Sequence, residues 1–215
     1  MSLMLEPSED SWARSAIEEA LRLTEEWFRS LPPFEPRVNL GSVVGHKFPA
    51  LLSEQDGVIH FARFLNEAGV PWDAIHHQVA VSRWLFDAPH PAATQTTIGE
   101  RRRRIDLALL RSDEFLSAKL PATEQGFQFD AFLEFKYLSD YWTLPKAQVF
   151  GGDPVRGRES VQADVDKIAR HLQTNACRLG YVIVFEECSW GFEEAFAANA
   201  QAASGCRVRF LRGYN

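Results

Sequence analysis

The sequence predicts an α/β fold in which helices flank a central mixed β-sheet and one further helix precedes the core. Two observations carry this prediction. Apolar residues recur at helical spacing over residues 12–28, 51–68 and 160–172. Extended patterns fill the interval between the second and third segments, and the apolar run at residues 181–185 is typical of a strand buried on both faces.

Length and composition indicate one ordinary globular unit. The chain has 215 residues, a formal net charge of −6, 46% hydrophobic residues and 24% charged residues, all close to the average soluble domain. We expect residues 1–50 to form an N-terminal helix and loop that pack on a core domain of residues 51–215. No apolar run approaches the roughly 20 residues of a membrane helix, and no signal peptide is visible. These features predict a cytoplasmic protein without a membrane partner.

The first helix is defined by its apolar pattern and by the signals at its ends. Capping residues at positions 8–10 precede the helical pattern, which stops before Pro32. The pattern includes Trp12, Trp27 and Phe28. Side chains of this size are rarely left in water together, so we expect this helix to dock on the core or on a partner chain.

The remaining elements follow in order along the chain. Residues 34–49 are rich in proline and glycine and predict a loop, or a loop with one short strand at residues 43–44, and the helix at 51–68 ends at Gly69. Extended patterns then predict strands at residues 75–84, 103–110 and 127–138. The later part of the chain predicts a loop at 139–158, a helix at 160–172, a strand at 181–185, a helix at 192–203 and a strand at 207–211.

Two of the predicted strands contain charged residues where apolar ones are expected. Side chains alternate along a strand, so Asp106 points away from the face formed by Ile105, Leu107 and Leu109. Glu134 and Lys136 likewise share the face opposite to their apolar neighbours. If the two strands pair, the three charged side chains converge on one patch. Ionised groups inside apolar strands cost several kcal/mol unless they are paired or bind a metal, so the pattern indicates a site.

The chemistry that such a patch supports is metal-assisted hydrolysis of a phosphodiester. Two neighbouring carboxylates repel each other, and a Mg²⁺ ion with oxygen ligands relieves this repulsion. The ion polarises a phosphoryl oxygen, and a nearby ammonium group orients the nucleophile or neutralises developing charge. The alternative interpretation is structural: an ion pair between Glu134 and Lys136, or between Asp106 and an arginine.

The arrangement of these residues resembles a known family. Asp106, followed by Glu134, Phe135 and Lys136 in the next strand, then by a helix and a hydrophobic strand, is similar to the PD-(D/E)xK, or restriction-endonuclease-like, nuclease superfamily. The resemblance covers about residues 51–185. It implies a three-layer core in which Asp106, Glu134 and the main-chain carbonyl of Phe135 bind Mg²⁺ or Mn²⁺. It also implies that Lys136 acts on the attacking water and that DNA endonuclease is the expected activity.

The resemblance has one departure and two further candidate matches. Ile105 stands where the motif has proline, a replacement that the superfamily accepts. Many members carry a glutamate on the first core helix, and Glu54 is the preferred match over Glu67, which lies near the helix end. A solvated helix surface is the alternative for either glutamate. The helix around residues 164–170 resembles the one whose polar residues face the site in this superfamily.

Basic and aromatic residues near the predicted site indicate contact with nucleic acid. The candidates are Arg101, Arg102, Arg103 and Arg104 before the first site strand, and Trp142, Lys146, Arg156 and Arg158 in the following loop. Guanidinium groups hold phosphates, and aromatic rings stack on unpaired bases. A solvated turn is the alternative for the arginines, and a cap on the core is the alternative for Trp142. The expected partner is DNA, with RNA and a homodimer left open.

Two other functions compete with a nuclease. The first is a non-catalytic nucleic-acid or protein interaction module that retains the fold, which the negative net charge favours. The second is an unrelated α/β enzyme that acts on a small phosphate ester. The intact set of Asp106, Glu134 and Lys136 favours catalysis, because charges without a function are readily replaced by apolar residues that pack better.

Overall fold

The computed structural model describes residues 11–31, 54–80, 104–110, 129–138, 154–186, 196 and 205–213. Within these residues the protein is an α/β fold with a mixed five-stranded sheet and three long helices, as the sequence predicts. None of the described helices combines the length and the apolar character needed to cross a membrane. The predicted helix at 192–203 lies outside the described residues except for Phe196, which is helical.

The three helices are α1 (Ser11–Ser30), α2 (Glu54–Glu67) and α3 (Pro154–Gln173). Helix α2 is followed by Gly69, whose φ of 95° suits a residue without a Cβ atom. Helix α3 begins six residues before the predicted start, since proline fits the first helical position, where no N–H partner is needed. The loop prediction is therefore wrong for residues 154–158.

The sheet consists of β1 (Ile75–Ala80), β2 (Arg104–Leu109), β3 (Phe129–Leu138), β4 (Cys177–Glu186) and β5 (Arg207–Arg212). The strands lie in sequence order across the sheet. Strands β1, β2 and β3 pair antiparallel, and β3, β4 and β5 pair parallel. A parallel neighbour requires a crossover connection, and α3 lies between β3 and β4 in the chain.

Each face of the sheet is covered by its own hydrophobic cluster. The first cluster joins α1 and α2 to the sheet and includes Ile17, Phe28, Phe61, Phe135 and Phe185. The second cluster joins α3 to the opposite face and includes Val161, Val165, Ile168, Val182 and Val184. The strands β3 and β4 contribute to both clusters, which explains why their apolar runs are nearly continuous.

The helices approach the sheet most closely where glycine replaces a side chain. A Cβ atom on Gly57 of α2 would lie 2.3 Å from a ring carbon of Phe185, and one on Gly180 of β4 would lie 2.3 Å from a methyl group of Ile168. Cys177 and Cys206 are buried, and burial raises the pKa of both thiols to about 12. Cys188 lies outside the described residues.

Candidate functional site: a charged cluster at the end of β2 and β3

Asp106 and Glu134 lie near each other on two neighbouring antiparallel strands. The β2–β3 pairing ends where Leu107 is opposite Leu133, so Asp106 and Glu134 are the next residues along the two strands, and the charge of Asp106 acts on Glu134. The N–H of Phe135 donates to Oδ2 of Asp106 at 3.0 Å. The side chain of Asp106 thus accepts a hydrogen bond from a strand N–H at the point where the regular β2–β3 pairing ends.

The neighbouring edge strand provides a second partner for Asp106. The side-chain amide of Gln78, in β1, donates to Oδ1 of Asp106 at 3.0 Å. Both carboxylate oxygens of Asp106 therefore accept a hydrogen bond from the sheet, one from β1 and one from β3. Each oxygen has a further lone pair, so these two bonds leave acceptor capacity for another ligand.

Glu134 is the most deeply buried acid of the site. Its side chain is 4% exposed, and the ammonium group of Lys167, on α3, lies 2.6 Å from Oε1. Burial raises the pKa of Glu134 to about 8, the negative charge of Asp106 adds to this rise, and Lys167 opposes it. Burial and Asp106 therefore favour the protonated form of Glu134, and a further positive charge near it would favour the ionised form.

Lys136 lies between two carboxylates that come from different helices. Its ammonium group is 3.0 Å from Oδ2 of Asp164 on α3 and 3.5 Å from Oε2 of Glu54 in the first turn of α2. Burial alone would lower the pKa of Lys136, but Glu54 and Asp164 outweigh burial and raise the pKa above its ordinary value. Lys136 is consequently a permanent cation and not a proton acceptor at neutral pH.

Six charged groups therefore form what we call the charged cluster: Glu54, Asp106, Glu134, Lys136, Asp164 and Lys167. Burial raises the pKa of Glu54 and of Asp164, and in both cases the attraction of Lys136 partly offsets the rise. Four carboxyl groups share two ammonium groups, so full ionisation would leave two uncompensated negative charges. An added cation would neutralise part of this excess negative charge.

The ligand atoms of the charged cluster fit a hard divalent cation. In the described part of the chain, no three His, Cys, Asp or Glu side chains are arranged to hold a metal ion together. Mg²⁺ and Mn²⁺ do not require such a cage, because Mg²⁺ is commonly held by one or two carboxylates with water and substrate phosphate completing the coordination. Asp106 and Glu134 are the two carboxyl groups that would supply such ligands, and a bound cation would favour the ionised form of Glu134.

The structure brings together four of the residues that the sequence singles out: Glu54, Asp106, Glu134 and Lys136. The other candidate glutamate, Glu67, is exposed and forms an ion pair with Arg63 at 2.9 Å. Phe135 contributes its N–H to Asp106, while its ring packs in the first cluster against Phe61.

The predicted nucleic-acid contacts are described only in part. Arg104 is exposed at the start of β2, next to the charged cluster in sequence, and its main-chain carbonyl accepts a hydrogen bond from Lys167. Arg158 is exposed on α3, which also contains Arg156. Outside the described residues lie Arg101, Arg102, Arg103, Trp142 and Lys146, together with the side chain of Arg156.

The sequence interpretation missed three members of the site as individual residues: Gln78, Asp164 and Lys167. A signal for Asp164 was present, because it occupies the buried stripe of α3 that runs through Val161, Val165 and Ile168 at helical spacing. A charged residue in an apolar helix stripe indicates a site for the same reason as Asp106 in an apolar strand. Gln78 gave no such signal, since it lies among polar residues in an edge strand.

One feature of β2 differs from the predicted alternation. Ile105 packs in the second cluster with Ala108 and not in the first with Leu107 and Leu109, so the prediction that all three leucine and isoleucine side chains share a face is wrong. The change of face occurs at Asp106, between Ile105 and Leu107.

Comparisons of the chain with protein-family models, curated proteins and solved structures found no match.

Proposed function

We propose that the charged cluster is the active site of a Mg²⁺- or Mn²⁺-dependent phosphodiesterase, with DNA as the expected substrate. The observation that carries this proposal is the juxtaposition of Asp106 and Glu134 on neighbouring strands, with two ammonium groups among their carboxylate neighbours. The resemblance of Asp106, Glu134 and Lys136 to the PD-(D/E)xK pattern supports the same assignment.

The excess of acids over bases favours a functional site over a structural ion pair. A structural pair needs one cation for each anion, because an uncompensated buried charge costs several kcal/mol. Here Glu134 is forced toward its protonated form by burial and by Asp106. Groups whose pKa values are displaced by burial and by like charges are concentrated at functional sites.

Four groups of the charged cluster have a role in the proposed reaction. Asp106 and Glu134 hold the cation, and the chemistry that Mg²⁺ or Mn²⁺ supplies when bound is polarisation of a phosphoryl oxygen. Lys136 remains charged, so it donates hydrogen bonds to the attacking water or to a phosphoryl oxygen. Glu54, with a side chain 40% exposed and a raised pKa, suits acceptance of a proton from that water.

The substrate is inferred from exposure and charge at the edge of the cluster. Arg104 is exposed at the start of β2, two residues before Asp106, and the side chain of Glu54 is 40% exposed. An exposed arginine close in sequence to a proposed metal ligand suits contact with a phosphate backbone and adds affinity without base specificity. DNA is proposed ahead of RNA by analogy with the PD-(D/E)xK superfamily.

One observation favours the second candidate, a non-catalytic interaction module. Lys167 already lies 2.6 Å from Glu134, and Lys136 lies 3.0 Å from Asp164, so two of the four acids have a close cationic partner. In such a module the cluster would act as a set of structural ion pairs. Replacing residues of the cluster with neutral residues of similar shape would then change the stability of the protein but no catalytic activity.

A cleavage assay tests the proposed function. Supercoiled plasmid, single-stranded DNA and RNA are incubated with Mg²⁺ or Mn²⁺ and with wild type, Asp106→Asn, Glu134→Gln or Lys136→Met. Asp166→Asn is the matched control, because Asp166 lies two residues from Asp164 on α3 but bonds only to Gln162 in the described contacts. Unfolding curves verify equal folded concentrations.

The phosphodiesterase proposal expects metal-dependent cleavage that falls by at least about 100-fold in each of the three cluster variants, as is usual for the loss of a positioned catalytic group. Asp166→Asn should cleave like wild type. Cleavage that persists in Asp106→Asn and Glu134→Gln would place the activity elsewhere. If wild type cuts none of the three substrates and binds neither metal, the interaction module replaces the proposal.

A further inference from the structure

We infer that Gln78 is a positioning residue that fixes the carboxylate of Asp106. The expected effect of Gln78 on metal affinity rests on the proposed function. The expected effect of Gln78 on the orientation of Asp106 rests only on the hydrogen bond between them. Gln78 lies in β1 at the position opposite Asp106, between the pairs His77–Leu107 and Val79–Ile105. It has no role in the proposed chemistry itself.

The backbone of Gln78 has an unusual conformation for a residue within a strand. Its φ is 50°, in the left-handed region that favours glycine. In the part of the chain that the structure describes, the other non-glycine residue with positive φ is Asn175, which follows helix α3. Left-handed residues are common after helices but not inside strands, and such conformations persist where the surroundings hold them.

The left-handed residue coincides with a change of face in both strands. On one side of it, Ile75 pairs with Leu109, and both belong to the first cluster. On the other side, Val79 pairs with Ile105, and both pack with the second cluster. Residues four positions apart on a regular strand share a face, so the two paired strands turn over between these pairs.

This turn sets the environment of Asp106. Gln78 donates its amide to Oδ1 and the N–H of Phe135 donates to Oδ2, both at 3.0 Å, so the carboxylate is held from two strands. A ligand that is already oriented loses less freedom when a cation binds, and outer partners of metal ligands contribute about 10- to 100-fold to affinity. Gln78 is thus the outer partner of Asp106.

Two substitutions separate the backbone of Gln78 from its amide. Gln78→Gly removes the amide but adopts positive φ without strain, whereas Gln78→Ala removes the amide and retains the strain. Asn175→Gly is the matched control, since it makes the same backbone change at the other left-handed site. Three properties are measured: the Tm, the Phe135 amide proton shift in metal-free protein, and the calorimetric Kd for Mn²⁺.

We expect Gln78→Gly to keep or raise the Tm, to move the Phe135 amide proton upfield as Asp106 becomes less well held, and to raise the Kd for Mn²⁺ about tenfold. Gln78→Ala should show the same two changes together with a lower Tm. Asn175→Gly should affect neither the Phe135 amide nor Mn²⁺ binding. If both Gln78 variants keep the wild-type amide shift and Kd, Gln78 only shapes the strand and the inference is overturned.

The outcome for the proposed function is read separately from the same experiment. Wild type that takes up no Mn²⁺ contradicts the metal site, and the Phe135 amide then decides the positioning of Asp106 by itself. An upfield shift in Gln78→Gly would still support Gln78 as the residue that holds Asp106. An unchanged shift would overturn the inference along with the metal site.

Discussion

Glu134 is the residue whose energetics are most constrained by its surroundings. It is buried, it lies near the negative charge of Asp106, and its charged partner is Lys167 at 2.6 Å. Burial is the largest cause of its raised pKa, and the nearby negative charge is the next. A carboxyl group in this position makes folding depend on pH in a direction opposite to that of an ordinary salt-bridged acid.

The first prediction concerns this pH dependence. The ordinary pKa of 4.5 applies to the unfolded chain, and the folded value is about 8, so the folded protein binds the extra proton between these pH values. The stability that this proton provides is present at low pH and is lost as pH rises toward 8. From pH 6.5 to 8 the loss should be about 2 kcal/mol.

Urea unfolding of wild type and Glu134→Gln at pH 6.5 and 8 measures this effect, and the difference between them cancels the contribution of the histidines. The variant should gain about 2 kcal/mol relative to wild type over this interval, because glutamine does not ionise. A difference between the two proteins that stays constant with pH would show that the pKa of Glu134 is near its ordinary value.

The second prediction concerns Lys167. At pH 6 Glu134 is protonated and needs no cation, so Lys167→Met should cost only about 1 kcal/mol, mainly the hydrogen bond to the carbonyl of Arg104. At pH 8.5 the same change leaves a buried carboxylate alone and should cost about 3 kcal/mol. Unfolding curves at the two pH values test this, with Arg170→Met on the exposed face of α3 as the control. Equal losses at both pH values would contradict the coupling.

At the residue scale the sequence singled out Asp106, Glu134 and Lys136, because a charge in an apolar strand is visible in the sequence itself, whereas Glu54 was suggested only by the resemblance to the PD-(D/E)xK superfamily. The residues that contact them were harder to predict from the sequence. The contact from Gln78 to Asp106 depends on a left-handed residue in an edge strand, and no composition or spacing signals that conformation. The three-dimensional register was needed to find it.

At the scale of elements, the approach of α2 to the sheet depends on a residue without a side chain. Gly57 lies in α2, where alanine would ordinarily improve helix stability by about 1 kcal/mol. The new Cβ atom would lie 2.3 Å from Phe185, whose ring is fully buried and packs against Phe28 at 5.3 Å. The helix would have to move away from β4 or the ring would have to leave its position.

The third prediction is that Gly57→Ala destabilises the protein by about 1–3 kcal/mol, the usual cost of overpacking a core. Differential scanning calorimetry measures the change. The double variant Gly57→Ala with Phe185→Leu should lose less than the sum of the two single variants, because the smaller side chain makes room for the methyl group. Strict additivity, or a stabilised Gly57→Ala protein, would contradict the packing of α2 against Phe185.

Helices and strands could be told apart in the sequence because each has its own apolar period. Their first and last residues were harder to predict. Helix α3 starts at Pro154, which reads equally well as a loop residue or as a first helical residue. The strand alternation failed at Ile105 for a different reason. A strand keeps its period only while its backbone remains regular, and the β1–β2 pair turns over at Gln78 and Asp106.

At the scale of the whole molecule, α1 is part of the core and not an appendage. Ile17, Ala20 and Phe28 are fully buried in the first cluster. Glu18 forms an ion pair with Arg209 of β5 at 2.8 Å, which connects the helix to the edge of the sheet. The sequence predicted the docking of this helix from its aromatic residues, whereas its contact with β5, near the other end of the chain, depends on the folded topology.

The fourth prediction is that deletion of residues 1–30 lowers the Tm by more than about 10 °C or abolishes folding. Burial of each large apolar side chain contributes about 1.5–3 kcal/mol, against a typical total stability of 5–15 kcal/mol. Thermal unfolding followed by circular dichroism tests this. Arg22→Ala, on the exposed face of α1, is the control and should leave the Tm unchanged. An unchanged Tm after the deletion would contradict the packing of α1.

Proton release on metal binding shows whether Asp106 and Glu134 form the proposed divalent cation site. Mg²⁺ is titrated into the protein at pH 7 in two buffers of different ionisation enthalpy. The raised pKa of Glu134, about 8, predicts binding of one ion with release of about one proton. Asp106→Asn should abolish both signals. Folded wild type that binds no Mg²⁺ or Mn²⁺ at millimolar concentration, or that binds it without releasing a proton, would contradict the claim.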